Sequence, residues 1–285
     1  MFFTQGLRFK SYKIEIVLLA FYFIILIAFI GCERKMKDIK INTEDISDEA
    51  ILALEKKKIL FGHASVGNNI IAGIQDIIAS DNRFKNIHIK EFKAGDRLDE
   101  PGIYHFGLKK NGFPKRKSDH FVKSLVENDI GEKIDIAFFK YCYVDIERDS
   151  NVEDLFDYYT DTVESIHKQY PNIKLLHVTT PLYSHGKGMK GFIKRIIKTD
   201  RHNIKRNEFN DIVIEKYQDE NPIYDLSTIG STYHDGSRSS FKYKGKTYYS
   251  LANEYTNDGG HLNEIGRYYA AKELLNTLAD IALNQ

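Results

Sequence analysis

Cysteine is scarce in this 285-residue chain, occurring only at Cys32 and Cys142, so the fold cannot rest on a disulfide scaffold. An excess of either charge is missing too. With 41 Lys and Arg against 40 Asp and Glu, the formal net charge is +1, and nothing global points to nucleic acid or an anionic surface. No internal repeat and no long low-complexity tract is present, which excludes solenoid and fibrous architectures. No ligand pair stands at helical or zinc-finger spacing, so a metal-dependent hydrolase would have to draw on scattered residues such as His63, His234, Asp258 and His261. What is present is 42% hydrophobic and 13% aromatic, enough for one large domain or two small ones.

The first 31 residues read as an address. Arg8, Lys10 and Lys13 form a positive region, and Ile16 to Ile30 is an unbroken apolar or aromatic run. That run is shorter than the about 20 residues a membrane span needs and suits a signal peptide. Ala28-Phe29-Ile30-Gly31-Cys32 resembles a bacterial lipobox, which makes Cys32 the lipidated residue. An uncleaved anchor or ordinary secretion are the alternatives, and all three put the body of the protein outside the cytoplasmic membrane. Residues 32–50 are then a polar, flexible tether, with the folded domain spanning 51–285. If Cys32 carries lipid, Cys142 is a lone thiol in an apolar strand, most simply a small core residue.

The chain is organised around Leu60-Phe61-Gly62-His63-Ala64-Ser65-Val66-Gly67-Asn68-Asn69-Ile70. Residues 56–61 read as a strand. Ile70, Ile71, Ile74, Ile77 and Ile78 recur at helical spacing behind it. Ser65 thus stands in a strand-to-helix turn ahead of a helix N-terminus. Two roles fit: a helix N-cap, or a nucleophile whose developing negative charge the helix end favours.

Strand patterns at 57–61, 86–92, 134–141, 173–179 and 222–226 alternate with helix patterns at 68–79, 119–127, 152–170, 202–220 and 263–283. Strand–helix alternation predicts an α/β fold with a central parallel sheet of about five strands between two helical layers, flavodoxin-like in type. Residues 93–118 read as one long loop, and 240–249 as a β-hairpin whose aromatic faces either stack on a sugar or simply form a lid. Lys109-Lys110 and Lys115-Arg116-Lys117 read as a solvated basic run, or as a seat for an anionic glycan.

Near the C-terminus, Asp258-Gly259-Gly260-His261 stands directly before the last helix pattern. An Asp three residues ahead of a His can reach one ring nitrogen and leave the other facing outward. Ligand sites of parallel sheets lie beyond the carboxyl ends of the strands, so this turn and Ser65 open on the same edge.

With Ser65 after strand one and Asp-x-x-His before the final helix, the sequence from Lys56 onward resembles the SGNH (GDSL-like) hydrolase superfamily. The resemblance implies Ser65 as nucleophile, His261 as general base then acid, and Asp258 as its orienter. It also implies oxyanion donors from a glycine after strand two, for which Gly107 and Gly112 are candidates, and from an asparagine after strand three. This chain departs from the pattern at both points. Gly62-His63-Ala64-Ser65 replaces Gly-Asp-Ser, and Lys140-Tyr141-Cys142-Tyr143 contains no asparagine. Cys142 and Asn111 are the candidates to replace that donor, and His63, Tyr143 and His234 are candidates to line the pocket.

The expected function is an extracytoplasmic, membrane-anchored serine esterase acting on an O-acyl group of a carbohydrate, with no cofactor, no metal and no nucleic-acid partner. An O-acyltransferase using the same residues and a catalytically silent glycan-binding lipoprotein are the competing readings.

Overall fold

A computed structural model describes residues 43–93, 95–185, 199–219 and 221–285. The expected signal peptide, Cys32 and most of the tether lie outside the described residues. No described helix is long and apolar enough to cross a membrane.

In chain order the elements are α1 (Asp48–Leu54), β1 (Lys58–His63), α2 (Val66–Ser80), β2 (Ile89–Glu91), β3 (Gly102–Gly107), α3 (Pro114–Val126), β4 (Ile136–Phe139) and α4 (Val152–Gln169). Then follow β5 (Lys174–Leu175), β6 (His177–Val178), α5 (Thr199–Tyr217), β7 (Ile223–Tyr224), α6 (Leu226–Ser231), the hairpin β8 (Ser240–Tyr243) and β9 (Lys246–Tyr249), and α7 (Glu264–Leu283).

Five parallel strands pair in the order β2-β3-β1-β4-β5. The run 173–179 then turns its alternate amides the other way. Lys174 and Leu176 donate to residues of the β4 segment, while His177 and Thr179 donate to Pro222 and Tyr224. The hydrogen-bonded order β3-β1-β4-β5/β6-β7 is the doubly wound 2-1-3-4-5 arrangement, with β2 added at one edge. β1 is its centre. Its neighbours leave in opposite directions, so the crevice beyond its carboxyl end is the place where such a sheet holds a ligand.

Ile59, Leu60 and Phe61 of β1 are at most 1% exposed, as a strand covered on both faces must be. Leu60 meets the core built by α3, α4 and α5, with Phe121, Phe139, Tyr159 and Phe209. On the opposite face Ile70, Ile74 and Ile77 of α2 pack with α7 and its Leu274, Leu275 and Leu278. Gly73 makes that crossing close, because a Cβ there would lie 2.4 Å from the Arg267 carbonyl oxygen.

Two expectations need correction. The supposed loop 93–118 contains a full interior strand, β3, and the first turns of α3. Gly102, Gly107 and Pro101 gave the stretch a loop composition, yet Ile103-Tyr104-His105-Phe106 between them is the β-branched and aromatic run that a strand needs. The domain also begins before residue 51. The Ser47 hydroxyl accepts from Ala50 N at 3.2 Å to cap α1, and Thr43 donates to Asp81 at 2.6 Å. Arg83 holds the Thr43 carbonyl at 2.9 Å, so the described part of the stretch read as tether, Thr43 to Ala50, forms a cap and a hydrogen-bond network.

Candidate active site

β1 delivers the chain to Ser65 in an uncommon conformation, φ 54° and ψ −106°. A non-glycine residue held there stores about 1–3 kcal/mol, which the surrounding packing must outweigh. The Ser65 side chain makes no cap bond to α2, so the N-cap role falls away. Its Oγ instead lies 2.8 Å from His261 Nε2.

His261 is held by its own turn. Its Nδ1 lies 2.6 Å from Asp258 Oδ2, and both side chains are about half exposed, at 49% and 55%. Asp258 Oδ1 accepts from the amides of Gly260 and His261, each at 2.9 Å. Burial alone would raise the Asp258 pKa. The Gly260 amide, the His261 ring and the His261 amide outweigh it, so the carboxyl stays well below the usual range. An ionised carboxylate only accepts, so Nδ1 carries the proton and Nε2 is left to accept from the Ser65 hydroxyl. The turn is fastened to α2 by Leu262 N donating to Asn69 Oδ1 at 3.1 Å, and to the 182–185 segment by the Tyr183 hydroxyl on the Asp258 carbonyl at 3.0 Å. Asn69 and Tyr183 were not singled out in the sequence; a polar Asn in the first turn of an otherwise apolar helix was the available signal for the first.

The remaining site candidates separate. Gly107 pairs with His63 across the β1–β3 ladder, two residues from the nucleophile. Gly112 does not offer its amide to the site, because that N–H donates to Asp145 Oδ1 at 2.7 Å. Asn111 uses its oxygen to accept from Lys117 Nζ at 2.8 Å. Cys142 is fully buried, its Sγ 3.4 Å from the Ala64 carbonyl oxygen and 3.6 Å from Lys140 Nζ. It therefore pins β4 to the nucleophile turn. Tyr143 stands between Tyr183 and His261, at ring-centroid distances of 5.4 and 6.2 Å. His234 is exposed in the turn closed by Thr232 and Arg238, and among the described residues it shares no hydrogen bond with Ser65, Asp258 or His261.

His63 is no pocket residue. It is 1% exposed, with Nε2 3.1 Å from His105 Nδ1. Burial first, then His105 and Lys140, push its pKa from 6.5 down to about 3. His177, stacked 3.7 Å from Tyr217 in the core, is pushed down to about 4, mainly by burial. Between those values and 6.5 the unfolded chain binds protons that the folded one refuses. Stability is therefore complete above pH 6.5 and lost as pH falls toward 3, by up to about 1.4 kcal/mol per pH unit for each histidine. A series of urea midpoints from pH 7 to 4 should show this decline, and His63→Gln should flatten it.

The basic run also reads differently in three dimensions. Lys115 pairs with Asp154 at 2.8 Å, Arg116 lies over the Phe113 ring at 5.0 Å, and Lys117 is buried against Asp145. In the hairpin, Phe241 packs on His185 and Tyr248, and Arg238 covers Tyr249 at 3.5 Å, so these rings serve the hairpin's own packing. Among the described residues no group of His, Cys, Asp and Glu is arranged to hold a metal ion.

The chain is similar in fold to solved GDSL and SGNH hydrolases. A GDSL-like lipase from Bacteroides thetaiotaomicron is 12% identical with a TM-score of 0.46, covering 82% of this chain and 95% of its own. The lipase/acylhydrolase from Enterococcus faecalis is 13% identical with a TM-score of 0.47, covering 79% and 96%. An acetyl xylan esterase is 14% identical with a TM-score of 0.44, covering 76% and 97%. No family model and no curated protein matches the sequence.

Proposed function

We propose that this protein is a serine esterase of the SGNH type. The observation that carries the reading is the unbroken chain of hydrogen bonds from Ser65 Oγ through His261 to Asp258. Ser65 Oγ attacks the ester carbonyl as its proton passes to His261 Nε2. The carbonyl electron pair moves onto oxygen, and the tetrahedral adduct collapses as His261 returns the proton to the leaving alcohol. Water, deprotonated by the same nitrogen, then releases the acyl group from Ser65. Asp258 holds the imidazole in the required tautomer and stabilises it while charged. The Ser65 amide, which has no acceptor among the described residues, is the backbone donor for the oxyanion.

The substrate we favour is a short O-acyl group, such as acetyl, on a carbohydrate. His261 and Asp258 are half exposed and flanked by Tyr143 and Tyr183. Such an open, polar and aromatic setting suits a small side group on a larger polar molecule better than a long acyl chain. We also place the enzyme outside the cytoplasmic membrane, held by lipid on Cys32. Cys32→Ala should then abolish incorporation of labelled fatty acid.

A fluorophosphonate probe tests the chemistry. Wild-type protein should be labelled and Ser65→Ala should not, whereas an unlabelled, folded wild type would sink the esterase. Acetate release from an acetylated but not a deacetylated polysaccharide tests the substrate. Activity on an activated acetyl ester that requires a glycan acceptor would redirect the reading to acyl transfer. Asp258→Asn should lower kcat by about 10⁴, because an amide donating to Nδ1 favours the wrong tautomer; steady-state kinetics on the same activated ester measure it.

A further inference from the structure

We infer that the Tyr143 hydroxyl is the side-chain donor to the oxyanion, in the place where an asparagine was expected. The inference rests on the esterase reading above.

Two of the expected donors are engaged elsewhere: the Gly112 amide donates to Asp145 and the Cys142 thiol to the Ala64 carbonyl. Asn111 is tied to Lys117 through its carbonyl oxygen, which accepts. Tyr143 immediately follows Cys142 at the carboxyl end of β4, the strand beside β1. The Cys142–Ala64 contact ties that segment to the residue before the nucleophile. From there the Tyr143 ring lies against the turn that carries His261. A Cβ on Gly260 would stand 2.6 Å from both the Tyr143 hydroxyl oxygen and its ring carbon Cζ, so glycine is what lets the ring lie there. Arg206 fixes the base of the residue, donating to the Tyr143 carbonyl at 2.7 Å. The hydroxyl is thereby held against the Gly260–His261 turn, whose imidazole nitrogen lies 2.8 Å from Ser65 Oγ.

The chemistry follows from that position. In the tetrahedral adduct Oγ and the oxyanion are bonded to the same carbon. A phenol O–H held on the turn that engages Oγ can therefore donate to the oxyanion. It gives a hydrogen bond and keeps its proton. Burial, with Asp258 and Tyr183 nearby, raises the Tyr143 pKa, so the phenol keeps its proton and stays a donor. The charge it meets exists only in the adduct, so its effect falls on kcat rather than on KM.

The test compares full-length wild type with Tyr143→Phe, which keeps the ring and removes only the hydroxyl. Melting temperature and circular dichroism check the fold. With p-nitrophenyl acetate, kcat should fall by about 10²–10³ with KM unchanged within about twofold. The Ki of a trifluoromethyl ketone, whose serine adduct carries an oxyanion, should rise by a similar factor. Unchanged kcat overturns the assignment. A lower kcat with an unaltered Ki also overturns it, since the hydroxyl would then only position Ser65. Should Tyr143→Phe misfold, Tyr143→Leu with the same Ki comparison replaces it and is read by the same criteria. Failure of the esterase reading looks different: wild type itself is then not labelled by fluorophosphonate at Ser65, and this assignment falls with it.

Discussion

Ser65→Ala is expected to lower ester hydrolysis by roughly 10⁴–10⁶, leaving the rate that binding and the oxyanion donors supply without a nucleophile. The size of the loss follows from how little else at the edge can attack a carbonyl. Cys142, a thiol next to the nucleophile turn, is fully buried with its sulfur against Ala64. Alanine keeps Cβ and therefore keeps the strained backbone at φ 54°, so its melting temperature should stay close to wild type. Ser65→Gly separates the two properties. Glycine enters that region without a Cβ penalty, so the variant should be equally inactive yet more stable by about 1 kcal/mol. Paired kinetics and urea melts on the two variants check this. A glycine variant no more stable than alanine would mean that the turn stores no strain.

Asp145→Ala should cause the largest loss of stability in the molecule. Asp145 and Lys117 have fully buried side chains, with Oδ2 2.5 Å from Lys117 Nζ. The same carboxylate accepts from Cys142 N at 2.6 Å and from Gly112 N at 2.7 Å. Its removal leaves a buried ammonium and the buried Cys142 amide without their carboxylate, and frees the Gly112 amide at the surface. Breaking a buried pair in this way costs about 3–5 kcal/mol. Against a total of about 5–15 kcal/mol for a domain, the variant should accumulate poorly at 37 °C and unfold at much lower urea. It would also unfasten the loop after β3 from the turn after β4, so remaining folded protein should be slow in catalysis. Lys117→Met combined with Asp145→Leu should recover much of the stability, because no charge is then stranded, though the buried Cys142 amide stays unpaired. If the single variant melts like wild type, the pair is not buried as described.

Burial of this pair shows where a one-dimensional reading fails. Lys117 stands in a run of basic residues that looks solvated, and its partner lies 28 residues further on. Nothing local marks which lysine is inside. Lys140 is similar: fully buried beside Cys142 and pushed toward neutrality, chiefly by burial, at the end of an apolar strand. β3 was obscured for another reason, since its flanking Gly102 and Gly107 and the preceding Pro101 carry turn composition while its pairing to β1 is long-range.

The catalytic candidates were legible because each stands at a junction with a strong local pattern on both sides. An apolar strand before Ser65 and an isoleucine stripe after it place that residue on the carboxyl edge of the sheet. A glycine-rich turn before a long final helix does the same for Asp258 and His261. Periodicity and turn chemistry are properties of neighbouring residues, so the sequence by itself determined the α/β architecture and which three side chains could face one another. Only the tertiary structure decided the rest: the strain at Ser65, the engagement of Gly112, Asn111 and Cys142 elsewhere, and the seat of Tyr143 against Gly260. Those depend on atoms brought together across the sheet, where close packing and the cost of an unpaired buried polar group select the partner.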